Sequence, residues 1–336
     1  MTDSDRASPS LFSPASAAIL VAGGVLLAIS IRQAGWDSIV ASVTSIGAWL
    51  GVVVALGAVR MAVRAQAWAV CSRATDAAGI PFGAAFSATL AADAVGNLTP
   101  LGLLASEPTK VLMARRHVTT ASSLSSVAVE NGFYTASVVA MLLGGVWVLL
   151  QRADVPPLLE RVGEGIVVLS MVGALAALWL FRARPAVLSR AGAWVATWSR
   201  RGAARHTLEA LEQSVYDVVR WPAGRLVQVV GWEAMFHVAA VAEVWLILRT
   251  MPASQQATLV DAFLMETTGR FITVAFKFIP YRLGVDELGS GSVSQLLGLG
   301  ASTGVALALV RRLRILLLNA AGIALLARHR AGTGRS

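Results

Sequence analysis

Two stretches of the sequence decide its fold: Asn97–Lys110, which reads NLTPLGLLASEPTK, and Phe278–Glu287, which reads FIPYRLGVDE. In each stretch a proline follows a long apolar run, a glycine stands close behind it, and a glutamate stands seven positions after the proline. These residues are Pro100, Gly102 and Glu107 in the first stretch, and Pro280, Gly284 and Glu287 in the second. Proline removes a backbone hydrogen-bond donor, and glycine frees the backbone around it. Both stretches therefore predict a broken helix with a carboxylate held at the break.

The composition places both breaks inside a membrane. Of the 336 residues, 56% are hydrophobic and only 14% are charged. A soluble domain of this length does not need so many apolar residues, so the composition predicts a polytopic membrane protein. Irregular backbone at membrane depth persists only where it is buried in protein or lines a wet cavity. We therefore expect an all-α polytopic membrane protein in which two re-entrant hairpins face one site.

The other long apolar runs predict about six membrane-crossing helices. The runs are Ser16–Ile31, Thr44–Trp68, Ser122–Leu150, Gly163–Phe181, Leu226–Leu248 and Ala301–Ala327. The arms on either side of each break fall short of the roughly 20 apolar residues that a crossing helix needs. The arms are Phe82–Leu98 and Glu107–His117 around the first break, and Phe263–Ile279 and Gly284–Gly300 around the second. For the first run a cleaved signal peptide is the alternative, although the acidic residues Asp3 and Asp5 precede it.

The arginines predict how the chain is oriented. The net charge is +9, and the segment 182–225 alone carries eight arginines, which makes it cytoplasmic by the positive-inside rule. Its apolar residues recur at helical spacing, which favours an amphipathic helix on the membrane surface, with a solvated connector as the alternative. Counting outward from this segment places both termini in the cytoplasm. The first hairpin then enters from the cytoplasm and the second from outside.

Two opposed hairpins are typical of an inverted repeat. The halves are residues 44–150 and 224–328, inside one transmembrane domain of residues 16–328. Polar tails at residues 1–15 and 329–336 flank that domain. In transporters of this design the substrate site lies near the midplane, between the repeats.

Charged residues at membrane depth are the candidates for that site, because a buried charge without a partner is costly. Arg60 and Arg64 stand four apart on one helix face, and Arg60 either extends to the interface or has a partner in the interior. At matching distances from the two prolines, Glu130 corresponds to Arg311, so glutamates of one half can pair with arginines of the other. In the same way Arg60 corresponds to Glu243. The expected substrate-binding residues are Glu107, Lys110, Glu130, Glu287, Arg311, Arg60 and Arg64.

Other kinds of chemistry find little support in the sequence. The single cysteine, Cys71, excludes a disulfide framework and a cysteine-based metal cluster, and we interpret it as a packing residue. The histidines are scattered without metal-ligand spacing, and basic residues in loops orient a membrane protein rather than recruit nucleic acid. Carboxylates inside membranes more often bind cations or relay protons than catalyse a reaction. We therefore expect no catalytic residue, metal, cofactor or nucleic-acid partner.

The two breaks resemble the pattern of the lysylphosphatidylglycerol synthase transmembrane region family, whose members are also called flippase-like domain proteins. The matching residues are Thr99, Pro100, Gly102, Glu107, Pro108, Lys110 and Glu130 in the first half, and Pro280, Gly284, Glu287 and Arg311 in the second. The resemblance spans about residues 44–328. Two dipeptides and one residue depart from the family pattern: Ala105-Ser106 and Tyr281-Arg282 stand where glycines often stand, and Lys110 replaces an arginine. These departures leave the headgroup preference open.

The resemblance implies a lipid translocase of the cytoplasmic membrane that moves a polar or charged lipid headgroup, with a phospholipid or related polar lipid as its partner. Arginines would bind the phosphate of the headgroup and glutamates an amine. Bifunctional relatives make an aminoacylated phospholipid in a separate soluble domain, for which no 200-residue globular segment remains here, so we do not expect an enzyme. The alternative is a non-catalytic membrane subunit that assists lipid-synthesis enzymes, for example in a hopanoid or aminoacyl-phospholipid pathway. A membrane-embedded transferase is a third class, and it would need a longer polar loop for its donor.

Overall fold

Regular structure in the described part of the chain is entirely helical, as the sequence predicts. The computed structural model describes residues 32, 36–99, 102–151, 157–185, 190 and 203–333. Its helices are α1 (Trp36–Thr44), α2 (Trp49–Thr75), α3 (Phe82–Leu98), α4 (Leu103–Ala114), α5 (Thr120–Leu150), α6 (Pro157–Ala183), α7 (Ala203–Asp217), α8 (Ala223–Thr250), α9 (Leu259–Ala275), α10 (Val285–Leu296) and α11 (Ala301–Thr333). Short 3-10 turns lie at Val218–Arg220, Pro252–Ser254 and Pro280–Arg282.

Four of these helices are long and apolar enough to cross a membrane. They are α2, α5, residues Glu160–Ala183 of α6, and α8, and they confirm four of the predicted runs as long apolar helices. The last predicted run forms α11, which is 33 residues long but carries three arginines in its first half and is not among the four. The predicted first run, Ser16–Ile31, and the tail at residues 1–15 lie outside the described residues.

The same order of helix lengths occurs twice along the chain. The first half has helices of 27, 17, 12 and 31 residues in α2 to α5. The second half has helices of 28, 17, 12 and 33 residues in α8 to α11. At 1.5 Å per residue, the 17- and 12-residue helices span roughly 26 and 18 Å. Each is shorter than a hydrocarbon core of about 30 Å.

The first helix break rests on a close approach between its two arms. Helix α3 ends at Leu98 and α4 begins at Leu103, while Pro100 lies outside the described residues. A Cβ atom on Gly102 would overlap the backbone carbonyl of Gly96 on the other arm, so only glycine fits there. The second arm begins four residues earlier than its predicted start at Glu107, which places Pro108 inside α4.

The second break contains left-handed backbone. Helix α9 ends before Pro280 and α10 begins after Gly284, and the turn between them holds Tyr281 at φ 51°, Arg282 at φ 49° and Gly284 at φ 78°. Residues other than glycine rarely adopt positive φ angles and are strained when they do. Strain of this kind persists only where the surrounding structure holds it in place. The arms are Leu259–Ala275 and Val285–Leu296, each a few residues away from its predicted bounds.

Two apolar clusters hold one hairpin each against the long helices. One cluster joins α2, α8, α9 and α11 through residues such as Val53, Ile247, Met265 and Leu307. The other joins α2, α3, α4 and α5 through residues such as Trp68, Ala88, Val111 and Val127. The halves also interlock, because α11 packs on α3 so closely that Gly322 faces the carbonyl of Leu90. Both hairpins therefore lie against a common frame.

The remaining predictions about single segments have clear outcomes. Cys71 is buried beside Val70, Val129 and Val229, which confirms it as a packing residue. In the predicted connector 182–225, residues 203–217 form the helix α7, and residues 186–189 and 191–202 lie outside the described part. The predicted C-terminal tail begins at residue 329, but helix α11 continues to Thr333.

Candidate functional site

A cavity of about 200 Å³ lies between the two hairpins. The first hairpin contributes Gly96, Gly102 and Ser106, which flank its break. The second contributes Tyr281 and other residues of its turn, and helices α2, α5, α8 and α11 complete the wall. The cavity is therefore bounded by residues from both halves of the chain.

Positive charge dominates the lining of this cavity. Nine cationic side chains line it: Arg60, Arg64, Lys110, Arg270, Lys277, Arg282, Arg311, Arg312 and Arg314. Only three carboxylates do so: Asp93, Glu107 and Asp286. Cations at such density need counter-charges close by, because each would otherwise be an unpaired charge away from water.

Four fully buried glutamates provide those counter-charges from behind the cavity wall. Their side chains are all 0% exposed, and each forms an ion pair with at least one lining cation. The four are Glu130, Glu243, Glu266 and Glu287. None of them belongs to the lining itself. The glutamates thus hold the arginines and lysine in place while the cations face the cavity.

Glu266 on α9 gathers three arginines from three elements. Its carboxylate accepts a hydrogen bond from Nε of Arg270 at 2.8 Å, one turn further along the same helix. It accepts a second from Nη2 of Arg311 at 2.7 Å, and Nη2 of Arg60 lies 3.8 Å away. The guanidinium groups of Arg60 and Arg270 also lie 5.1 and 4.7 Å from the ring centre of Phe236. Cation–π attraction adds to the ion pairs in this position.

Glu243 on α8 joins the two halves of the chain. It pairs with Arg60 of the first half at 2.8 Å and with Arg314 of the second half. Arg60 is only 4% exposed, so it has an interior partner rather than extending to the interface. The pairing of Arg60 with Glu243 is one of the cross-half pairs of a glutamate with an arginine that the sequence allows.

Glu130 on α5 holds two cations of the first half. It pairs with Nε of Arg64 at 2.9 Å and with Nζ of Lys110 at 3.2 Å. Arg64 also donates to Asn131 at 3.2 Å and stacks 3.9 Å above the ring of Tyr134. Arg311, the counterpart of Glu130 by offset, pairs with Glu266 instead. The pairs of Glu130 and of Arg311 therefore stay within their own halves.

Glu287 explains the spacing of the second break. Its carboxylate accepts a hydrogen bond from the backbone N–H of Gly284 at 2.8 Å, three residues earlier, and so caps the first turn of α10. A carboxylate is also favoured there by the helix dipole. The same side chain pairs with Arg312 of α11, and Arg312 in turn donates to the carbonyl of Tyr281. One glutamate thus fixes the helix start, the turn and a cavity arginine.

Glu107 is the predicted glutamate that faces the cavity. Its side chain is 21% exposed, and its nearest cation is Nζ of Lys110 at 3.6 Å. The predicted Lys110, Arg60, Arg64 and Arg311 also line the cavity. The other two predicted glutamates, Glu130 and Glu287, lie behind the wall. Five of the seven predicted site residues therefore face the cavity, and two orient cations that face it.

Several residues of the site were absent from the predicted set. They are Arg270, Lys277, Arg282, Arg312 and Arg314 among the cations, and Asp93, Glu243, Glu266 and Asp286 among the carboxylates. Glu266 and Arg270 stand four apart on one helix, the same spacing as Arg60 and Arg64, and this spacing could have identified them. Any ionisable residue inside an apolar helix is a candidate functional residue on physical grounds.

The arrangement is suited to binding an anion. Arginine presents several N–H donors in a fixed planar fork, and a paired carboxylate occupies only some of them. In the part of the chain that the structure describes, no group of three or more His, Cys, Asp and Glu side chains could hold a metal ion. The chemistry that these residues offer is charge-assisted hydrogen bonding to a phosphate or carboxylate group.

Comparison with known proteins places the chain in a family. A family model described as "Lysylphosphatidylglycerol synthase TM region" matches residues 15–322, which is most of the chain. Neither the comparison with curated proteins nor the comparison with solved structures found a match. The matched range contains both hairpins, the cavity residues and the four apolar helices, and it confirms the resemblance seen at the two breaks. The chain therefore belongs to the lysylphosphatidylglycerol synthase TM region family.

Proposed function

We propose that this protein is a lipid translocase that moves a polar or charged lipid headgroup across the cytoplasmic membrane. The observation that carries the proposal is the cavity between the two helix breaks, which nine cations line. The described part of the chain also has four long apolar helices. Intramembrane charges of this number mark a substrate path more often than a purely structural feature. In this proposal the protein transforms no substrate and is not an enzyme.

The proposed architecture has six crossings and two re-entrant hairpins in an inverted repeat. Its support is the repeated order of helix lengths, in which arms of 17 and 12 residues follow a long helix in both halves. Each pair of arms is joined by a turn and lines the same cavity, as discontinuous helices do in repeat transporters. Both termini and the arginine-rich connector 182–225 are cytoplasmic in this proposal.

The proposed mechanism keeps the acyl tails in lipid while the headgroup passes through the cavity. A headgroup phosphate loses its water when it enters the membrane, and that loss costs several kcal/mol for an unpaired ion. Arginine N–H groups replace those hydrogen bonds. Rocking of one half against the other would open the cavity to alternate leaflets. The cross-half pair of Arg60 and Glu243 lies where the halves would move against each other.

Leaflet exchange in reconstituted vesicles tests the function. The purified full-length chain is placed in vesicles that contain trace lipids with fluorescent acyl chains, and quenching of the outer leaflet is followed over time. We expect the fraction of lipid accessible to the quencher to rise above the half that protein-free vesicles show. If it stays at the protein-free value for every headgroup, the protein is not a translocase.

Cysteine labelling tests the opposed hairpins. The native Cys71 is fully buried, so it gives little background with a membrane-impermeant reagent. We expect Ala105→Cys to label from the cytoplasmic side and Tyr281→Cys to label from outside. Labelling of both positions from the same side would contradict the inverted repeat.

The main alternative is a non-catalytic subunit that binds lipid-synthesis enzymes. One feature favours it: in the most apolar 18-residue window of α6, no residue is buried inside the protein. Exposed residues such as Leu169, Leu175 and Trp179 leave that helix free to contact lipid or another membrane protein. Normal lipid synthesis without leaflet exchange, together with co-purification of a synthesis enzyme, would favour this alternative.

A further inference from the structure

The charge of the cavity does not cancel. Nine cations line it, and three lining carboxylates together with four buried glutamates give seven anions, so nine minus seven leaves a balance of +2. One further carboxylate, Glu233 of α8, is also buried, at 2% exposure. If Glu233 is counted as ionised, the balance falls to +1 and remains positive.

The unbalanced positive charge faces the cavity. Lys277 is exposed, lines the cavity and forms no ion pair with any carboxylate in the described ranges. Nε atoms of Arg60, Arg312 and Arg314 are buried without a hydrogen-bond partner among the described residues, although these side chains line the cavity. Unsatisfied buried donors are rare and costly. A ligand with acceptor oxygens would pair with Lys277, which is exposed and lines the cavity.

Two of the three carboxylates that face the cavity have close partners, and the third is loosely paired. Asp286 pairs with Arg282 at 3.1 Å, and Asp93 accepts a hydrogen bond from Asn97 at 2.9 Å. Glu107 has a cation only at 3.6 Å, Nζ of Lys110, and its Oε2 atom is buried without a hydrogen-bond partner among the described residues. An ammonium group in the headgroup would therefore compete with close partners at Asp286 and Asp93, and at every carboxylate, Glu107 included, it would meet an excess of like charge. The buried glutamates behind the wall offer no surface to such a group.

We propose that the cavity selects lipids whose headgroup has a negatively charged phosphate and no amine. This selectivity rests on the proposed function for the lipid nature of the substrate, but its binding test does not require transport. A phosphatidylglycerol-type headgroup fits this charge. A zwitterionic ethanolamine headgroup binds more weakly, and a net cationic aminoacylated headgroup binds most weakly.

Binding to the purified full-length chain in a non-ionic detergent tests the selectivity. Short-chain dioctanoyl phosphatidylglycerol, phosphatidylethanolamine and lysyl-phosphatidylglycerol are titrated, and the rise in thermal midpoint gives the affinity for each lipid. We expect the anionic lipid to bind roughly tenfold or more tightly than the ethanolamine lipid. Equal affinity for the two, or tighter binding of the lysyl lipid, would overturn the proposal. Sn-glycerol 3-phosphate provides a soluble phosphate of the same chemistry, and if it binds as tightly as the anionic lipid, the cavity is a site for soluble phosphates instead.

A matched pair of variants tests whether the lipid binds in the cavity. Lys277→Gln removes the cation that has no carboxylate partner, so it leaves no buried carboxylate unpaired. Arg249→Gln removes an exposed cation at the end of α8, outside the cavity. We expect Lys277→Gln to bind the anionic lipid roughly tenfold more weakly and to prefer it less strongly over the ethanolamine lipid. Arg249→Gln should bind both lipids as the unchanged protein does. Equal losses in both variants, or none in either, would place the binding elsewhere and overturn the proposal.

The binding and transport measurements test the selectivity and the proposed function separately. Preferential binding of the anionic lipid without leaflet exchange would keep the selectivity and overturn the translocase. Leaflet exchange with no preference between headgroups would keep the translocase and overturn the selectivity.

Discussion

The two hairpins have the same helix lengths but bring opposite charge to the cavity. The first hairpin, α3 with α4, lines it with Asp93, Glu107 and Lys110. The second, α9 with α10 and the turn between them, lines it with Arg270, Lys277, Arg282 and Asp286. Two carboxylates and one cation give the first hairpin a charge of −1, and three cations and one carboxylate give the second +2. Two hairpins with the same helix lengths therefore present charge of opposite sign to the cavity.

The turns of the two hairpins also differ in how they are held. The first turn depends on the absence of a side chain, because Gly102 lies against the carbonyl of Gly96. The second depends on side chains, since Glu287 caps α10 and pairs with Arg312, which in turn holds Tyr281. The helix lengths repeat in both halves, whereas the charges that the two hairpins bring to the cavity differ. The length pattern can therefore repeat while the chemistry diverges.

The largest expected effect compares a fully buried carboxylate of one hairpin with a half-buried carboxylate of the other. Glu266→Gln removes the counter-charge of Arg270 and Arg311, and breaking a buried ion pair in this way costs about 3–5 kcal/mol. We expect a large loss of folded protein and a lower thermal midpoint in detergent. Asp93→Asn on the first hairpin is the matched control, because Asp93 is half-buried and accepts a hydrogen bond from Asn97 rather than from a cation. Equal stability of the two variants would contradict the supporting role of Glu266.

The second expected effect concerns the close approach in the first turn. Gly102→Ala places a methyl group against the carbonyl of Gly96, and overpacking of this kind typically costs about 1–3 kcal/mol. We expect a lower thermal midpoint, since the arms must separate. Gly83→Ala is the matched control on the same hairpin, because nothing lies within 4 Å of a Cβ there. If Gly102→Ala is as stable as Gly83→Ala, the arms do not depend on this contact.

The fold was more predictable from the sequence than the site. Long apolar runs predict helices because the only way to satisfy backbone groups in lipid is within the helix, and the four apolar helices lie where the runs predict them. The helix breaks were also predictable, since proline and glycine act locally. The helix bounds were less predictable in both hairpins: α4 begins four residues before its predicted start, and the turn of the second hairpin depends on the distant Arg312. A contact of that kind leaves no local pattern.

The site was only partly predictable because pairing depends on three-dimensional packing. The charged residues of the site stand out in the sequence by their depth in apolar segments, and five of the predicted seven face the cavity. The sequence does not reveal which of them face it and which stand behind, as Glu107 and Glu130 illustrate. Both are glutamates that pair with Lys110, yet one is 21% exposed and the other 0%. That difference separates a carboxylate that faces the cavity from one that holds cations behind its wall.

The smallest expected effect tests this difference directly. Glu107→Gln removes a carboxylate that faces the cavity and touches Lys110 only at 3.6 Å, and a loosely paired, partly exposed ion pair contributes about 0–1 kcal/mol. We therefore expect nearly unchanged stability. Since the balance of the cavity becomes more positive by one charge, anionic lipid should bind at least as tightly as before. Thermal titration with dioctanoyl phosphatidylglycerol measures both quantities on one sample. The amine-binding role that the sequence suggests for Glu107 makes a different prediction. In that case Glu107→Gln weakens binding of the ethanolamine lipid and leaves binding of the anionic lipid unchanged. A selective loss of that kind would show that the first hairpin binds an amine. The negative charge of this hairpin would then take part in substrate recognition rather than only neutralise Lys110.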